Sequence, residues 1–240
     1  MGAILETEIS ERINALLNGK TNIKLLEAGC GSASYFKFVP TVQSVGIDIL
    51  QEQLDRNSAI QEKIHGDLQT YPLPEQEFDV VVCWDVIEHL SNPRSALTNM
   101  FNATKAGGFV ILGFPHLASF KGMVTKFTPF WFHRYFYRAI MKYKSTPFRT
   151  YLRFSILPKR ILKLAQESGF SVAYYRLTEG TATKKVRKEF RLVAALFYVV
   201  NLGARVVTLG KCESLYLDGC ALILKKGERQ PASGLRRDRV

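Results

Sequence analysis

Apolar runs recur through the first half of the chain, in "NIKLLEAG", "SVGIDIL", "IHGDL", "FDVVVCW" and "FVILGFP", with helix-patterned stretches between most of them. That alternation constrains the fold more than any other feature. Unbroken apolar runs belong to strands buried on both faces, and strands separated by helices pair in parallel. An N-terminal helix over 4–18 is expected, because Ile9, Ile13, Leu16 and Leu17 repeat with helical period before Asn18-Gly19. Further helices are expected in "QEQLDRNSAIQ", around Val86–Leu90, in "SALTNMFNATKAGG" up to Gly107-Gly108, and in "LPKRILKLAQESGF" up to Gly169. The strands "SVAYYRL" and "LYLDGCALILKK" follow. The expected class is α/β: a mostly parallel sheet with helices on both faces.

A length of 240 residues with 47% hydrophobic content suffices for one large domain with its own core. Cys30, Cys83, Cys212 and Cys220 lack paired C-x-x-C spacing, which argues against zinc and suits a reducing compartment. Acids interrupt the apolar residues of "MGAILETEISERINALLNG", so it does not read as a signal peptide, and Glu6 stands where a myristoylation signal wants Ser or Thr. A cytoplasmic location is the resulting expectation.

Acids and glycines cluster at the strand ends. In an open parallel sheet, ligands bind beyond the carboxyl ends of the strands, and Glu27, Asp48 and Asp67 fall at three such ends. Asp48 lies seventeen residues past Gly31, near the roughly twenty expected for a carboxylate that receives ribose hydroxyls. Asp67 could accept from an adenine amino group. A nucleoside-bearing cofactor is the economical reading. A dinucleotide fits poorly: its fingerprint needs glycine where Ser34 stands, and Glu27 would meet a pyrophosphate with the wrong sign. A cationic ligand suits Glu27 better.

Taken in order, "LLEAGCGSASYF", "VGIDIL", "GDL", "FDVVVCWDVIEHL" and "KAGGFVILGFP" resemble the class I S-adenosylmethionine-dependent methyltransferases, nearest the branch acting on quinones and natural products. The resemblance is strong over residues 22–114 and continues weakly to the last strand. It implies a Rossmann-like seven-stranded sheet, mostly parallel with an antiparallel last strand, and S-adenosylmethionine as cofactor. By the same resemblance Glu27 anchors the methionine end, and Gly29 and Gly31 let the backbone approach it. Asp48 takes the ribose hydroxyls, Ile49 packs on adenine, Asp67 accepts from its amino group and Leu68 offers a backbone N–H. The backbone at Cys83 and Trp84 lines the sulfonium side. Ala33 replaces the family's third glycine, a mild change if its backbone is helical and a clash at positive φ. The expected organisation is one domain over 1–226: the N-terminal helix, a cofactor-binding half (22–114), a substrate cap (115–155) and a C-terminal half (156–226). A disordered basic tail (227–240) follows.

A sulfonium methyl is already activated, so a general base is optional. His89 and His116 are the candidates, with Trp84, His133, Arg134 and Arg138 on the substrate side. Each histidine also has a plain packing reading. Asp85, Glu88 and His89 would share a helical face able to hold a divalent metal, but a capping and packing role is the simpler account, and no metal is expected.

Between Glu88 and Glu167 there are thirteen Lys or Arg and no acid, in a chain of net charge +12. One-sign tracts imply an anionic partner. In "FTPFWFHRYFYRAIMKYK", Arg134, Arg138 and Lys142 form a cationic stripe beside Phe132, Phe136 and Ile140, the make-up of an interfacial helix on an anionic membrane. In "KKVRKEFRLVAALFYVVNLGARVV" the apolar stretch Leu192–Ala204 is too short to span a bilayer, so a surface-lying or pocket-covering helix is expected. The functional expectation is methyl transfer, most readily to an oxygen of a small or lipid-like acceptor (quinone, natural product or lipid-linked glycan), with peripheral membrane contact. The alternatives are a degenerate S-adenosylmethionine-binding scaffold and a nucleic-acid methyltransferase. Nucleic acid ranks last, because no accessory RNA-binding domain is apparent. Oligomeric state is left open.

Overall fold

The computed structural model describes residues 3–34, 36, 42–129, 151, 153–210 and 215–228. Seven strands form one sheet: β1 (Ile23–Ala28), β2 (Val42–Asp48), β3 (Glu62–His65), β4 (Phe78–Trp84), β5 (Thr104–Pro115), β6 (Phe170–Thr178) and β7 (Gly219–Lys226). Their order is β3-β2-β1-β4-β5-β7-β6. β1 to β5 pair in parallel, and β7 is antiparallel to both β5 and β6. Strand order reverses between β1 and β4, which opens a crevice at their carboxyl ends.

The helices are α1 (Ala3–Leu17), α2 (Gln51–Arg56), α3 (Pro93–Ala103), α4 (Phe120–Phe127), α5 (Pro158–Glu167), α6 (Thr181–Glu189) and α7 (Arg191–Val207). Side chains alternate across β4. Val80, Val82 and Trp84 join Ile9, Ile13 and Leu17 of α1 on one face, while Val81 and Cys83 join Leu97, Met100 and Phe101 of α3 on the other. Ile161 and Ala165 of α5 complete that second layer.

Three sequence expectations shift. The helix expected around Val86–Leu90 is a single 3-10 turn, Ile87–His89. Asp85 precedes it at φ +54, so Asp85, Glu88 and His89 do not share an α-helical face. The helix before Gly107 ends at Ala103, since Thr104 already pairs with Phe78 and "KAGG" makes an irregularity in β5. α3 also starts earlier, with Pro93 in its first turn and the Asn92 side chain accepting from Ser95 N–H. "QEQLDRNSAIQ" yields only the six-residue α2. His133, Arg134, Arg138, the aromatic stripe around them and most of the expected 115–155 cap lie outside the described residues, as does the tail beyond Glu228.

Candidate active site

After β1 the chain reverses through Gly29 (φ +76) and Gly31 (φ +53). The N–H groups of Gly29 and Cys30 both donate to the Ile47 carbonyl, at 2.8 and 3.2 Å, tying the turn to the end of β2. A Cβ on Gly29 would stand 2.5 Å from Val86 Cγ2. Glycine is therefore required there both by conformation and by space. Ala33 is not among the described residues with positive φ, so the departure at the third glycine brings no backbone strain. Asn57, fully buried, clamps the turn from below: its Nδ2 donates to the Cys30 and Gly31 carbonyls at 3.1 and 3.2 Å.

Three carboxylates stand at successive strand ends. Glu27 is buried and accepts from the Ser34 hydroxyl at 2.6 Å. Burial raises its pKa, offset in part by that hydrogen bond. Glu27 thus sits one layer behind the cleft wall, with Ser34 between. Asp48 accepts from Gly31 N–H through Oδ2 and from Leu50 N–H through Oδ1, each at 2.9 Å. Both oxygens keep acceptor capacity. Asp67 Oδ1 accepts from Gln69 N–H at 2.9 Å, and the Gln69 side-chain amide lies 3.0 and 3.1 Å from its two oxygens. Gln69 Oε1 in turn accepts from Ser91 Oγ and Asn92 N–H. Asp67 is therefore coupled to the cap of α3.

A cleft of about 610 Å³ runs between these groups, walled by Gly31, Ser34, Asp48, Asp67, Trp84 and His89. Its size is in the usual range for small-molecule sites. Ile49, another lining residue, is 60% exposed, an apolar surface offered to a flat ligand. Leu68 also lines it. Trp84 packs edge-on against Phe36, with ring centroids 5.0 Å apart, and a Cβ on Gly113 would fall 2.2 Å from its ring.

Cys83 and His116 stand apart from this wall. Cys83 is fully buried in the opposite layer, its thiol pushed up by burial. A side chain at that register position points away from the face that carries Trp84, so at most its backbone serves the cleft. His116 is buried, its Nδ1 3.1 Å from the Leu217 carbonyl and its N–H donating to Asp218 O. That is a brace between the ends of β5 and β7. His89 does line the cleft, with Nε2 3.9 Å from Glu88 Oε1. Glu88 is buried with Oε2 lacking a hydrogen-bond partner, and burial, reinforced by the charge of Asp85, pushes its pKa up to about 8. Among the described residues no group of three His, Cys, Asp or Glu is disposed to hold a metal ion. Cys30, in the turn itself, is no nucleophile: burial and then the charges of Asp48 and Glu27 push its thiol up to about 12.

Sequence reasoning missed Asn57 and Gln69, which carry no periodic or motif signal. It named Asp85 only as part of a helical face, whereas Asp85 lines the cleft from a left-handed backbone position, which Asp tolerates better than most residues.

Fold and site together define an α/β domain with a cleft edged by carboxylates at the carboxyl ends of its strands. The protein family described as a methyltransferase domain matches residues 26–112. The chain is 30% identical over 112 residues to a probable S-adenosylmethionine-dependent methyltransferase of Mycolicibacterium smegmatis, covering 44% of each chain. It is 30% identical over 101 residues to a mitochondrial ubiquinone biosynthesis O-methyltransferase of Schizosaccharomyces pombe, covering 37% of this chain and 36% of the other. The matched segment is less than half the length of these curated relatives. A solved phosphoethanolamine N-methyltransferase of Haemonchus contortus, in complex with S-adenosyl-L-methionine, shares the fold, with TM-score 0.59 at 15% identity, covering 95% of this chain and 53% of that one. Residues 26–112 are thus those of a methyltransferase domain, similar in sequence to S-adenosylmethionine-dependent methyltransferases.

Proposed function

We propose that the protein transfers a methyl group from S-adenosylmethionine to an oxygen of a small or lipid-like acceptor. One observation carries the reading: Asp48 and Asp67, from successive strand ends, line one cleft, and Glu27 stands directly behind its wall, joined to it through the lining residue Ser34. Their chemistry suits that cofactor. Glu27 is a carboxylate short of solvent and would gain from a nearby ammonium. Asp48 keeps lone pairs for vicinal hydroxyls. The Asp67 carboxylate already accepts from an amide NH2, and an adenine amino group is a donor of the same kind. When bound, S-adenosylmethionine supplies an electrophilic methyl on a sulfonium, which leaves as a neutral thioether.

The chain's own residues then orient the acceptor and manage its proton. His89, at the cleft wall, takes the proton from the acceptor hydroxyl as its oxygen bonds to carbon. The Glu88 carboxyl lies 3.9 Å from its Nε2. Trp84 and Leu90 make the neighbouring wall apolar. The relatives named for ubiquinone biosynthesis support oxygen as the acceptor atom and a greasy acceptor.

The test is incubation with methyl-labelled S-adenosylmethionine and a panel of prenylated phenols, lipid-linked sugars and amines. We expect label in a phenol or sugar hydroxyl, stoichiometric S-adenosylhomocysteine, and turnover reduced on the order of 10²-fold in His89→Ala, the usual scale of general-base loss. Tight cofactor binding without transfer to any acceptor would favour the scaffold reading instead.

A further inference from the structure

The connection from β6 to β7 is far longer than an antiparallel neighbour needs. It is occupied by α6 and α7, which meet at Phe190 with a bend of 119°. α7 is apolar on both faces. Its partly buried positions are Ala194, Phe197, Asn201 and Ala204, a helical stripe with one amide, that of Asn201. There the Phe197 ring lies 4.1 Å from that of Phe120, and Asn201 Oδ1 accepts from Leu215 N–H at 2.9 Å. The outward stripe is apolar as well: Leu192 is 88% exposed, Leu196 58%, Val199 64% and Val206 67%. An apolar outer face of this extent marks a surface that meets something other than water.

Charge identifies the occupant. No charged residue lies between Leu192 and Ala204, and Arg191 and Arg205 bracket the stretch, about 21 Å apart along a helix rising 1.5 Å per residue. α6 adds Lys184, Lys185, Arg187 and Lys188. Across both helices there are six cations and one acid, Glu189; Arg187 pairs with Glu179 at 2.8 Å and Lys185 lies 4.0 Å from Glu189, while Lys184, Lys188, Arg191 and Arg205 are exposed. A second copy would bring two such clusters together, whereas an anionic leaflet neutralises them. Among the described residues no single helix is long and apolar enough to cross a membrane, and this one is shorter than the roughly 30 Å hydrocarbon core. The two helices reach the length and composition of a span only as a pair bent by 119°, and the cations of α6 favour the interface over the hydrocarbon core.

We propose that α6 and α7 form a docking surface for an anionic lipid bilayer. α7 lies in the membrane plane with Leu192, Leu196, Val199 and Val206 among the acyl chains, and Lys184, Lys188, Arg191 and Arg205 reach the phosphates. The surface sits at the cleft end of the sheet. Tyr216 and Leu215, against which α7 packs, lead directly into Gly219, which pairs with Pro115 at the end of β5. Cleft and bilayer therefore share one end of the molecule. The proposal concerns binding alone and does not depend on methyl transfer.

Flotation of the full chain tests it, using vesicles of phosphatidylcholine with roughly one-third phosphatidylglycerol against phosphatidylcholine alone. The protein should float with the anionic vesicles, less so in high salt, and poorly with neutral ones. Leu196→Glu/Val199→Glu should lower partitioning by about ten-fold or more, and Lys184→Glu/Lys188→Glu by a similar factor. All four side chains are exposed, so far-ultraviolet circular dichroism and S-adenosylmethionine binding should not change. Absence of flotation with anionic vesicles would overturn the proposal, as would flotation unaffected by Leu196→Glu/Val199→Glu. So would a lipid-free dimer in sedimentation that Leu196→Glu dissociates while flotation persists unchanged.

Discussion

Glu27 shows at the scale of one side chain how a binding group works against the fold that carries it. Its carboxylate is buried and accepts from the Ser34 hydroxyl, and burial raises its pKa. A raised pKa means that the folded chain binds the proton more tightly than the unfolded chain does. Stability is therefore greatest below the ordinary carboxylate range and is lost as pH rises through the raised value. Glu27→Gln should stabilise the cofactor-free protein at neutral pH and flatten that slope in thermal melts taken across the acid range. The same change should weaken S-adenosylmethionine binding by about 1–3 kcal/mol, the scale of a lost charge-assisted hydrogen bond. Opposite signs in the two measurements identify a cation-binding role, while loss of both stability and affinity would make Glu27 merely structural. Glu27, Asp48 and Asp67 were legible in the sequence because each follows an apolar run. The layer behind them was not: nothing in "LEAGCGSAS" says that Ser34 folds back onto Glu27.

At the scale of elements, the turn after β1 depends on a residue outside it. Asn57 ends α2 and spends its side chain on the Cys30 and Gly31 carbonyls. Its replacement strands one buried and one partly buried acceptor. Asn57→Ala should cost about 1–3 kcal/mol in chemical denaturation and also lower cofactor affinity, because the turn that presents Asp48 and Gly31 loses its clamp. Unchanged affinity at reduced stability would confine Asn57 to packing. Strands β1, β2, β4 and β5 were readable because continuous apolar runs have no other economical placement. The segment after β4 misled, because "VIEHL" has helical composition but Asp85 enters at positive φ, leaving room for only one 3-10 turn. "KAGG" misled for the opposite reason. Its glycines read as a helix stop, yet β5 has begun by Thr104, where Asp79 accepts from Lys105 Nζ at 2.8 Å.

For the molecule as a whole, order in the sheet converts scattered sequence positions into one site. β1 and β4 pair through Glu27 and Val82, β1 and β2 through Ala28 and Ile47, and β2 and β3 through Asp48 and His65, so the three acids emerge at one end. The topology, with β7 antiparallel between β5 and β6, follows the resemblance, although β7 begins only at Gly219. The basic tract between Glu88 and Glu167 and the surface-lying helix of "KKVRKEFRLVAALFYVVNLGARVV" were legible in the sequence, but which face of α7 turns outward was not. α6 sets four cations beside an apolar face that hydrophobic periodicity cannot distinguish from a core-facing one. Periodicity reports that a helix has two faces, and only packing says which one turns inward.

The central claim is a site for a cationic nucleoside gripped by carboxylates from separate strands. It is tested most directly by calorimetric titration of S-adenosylmethionine into the full chain and into Asp48→Ala. Saturable one-to-one binding to the native chain is predicted, weakened in the variant by about 1–3 kcal/mol. No binding to the native chain, or equal affinity in both, would contradict the account.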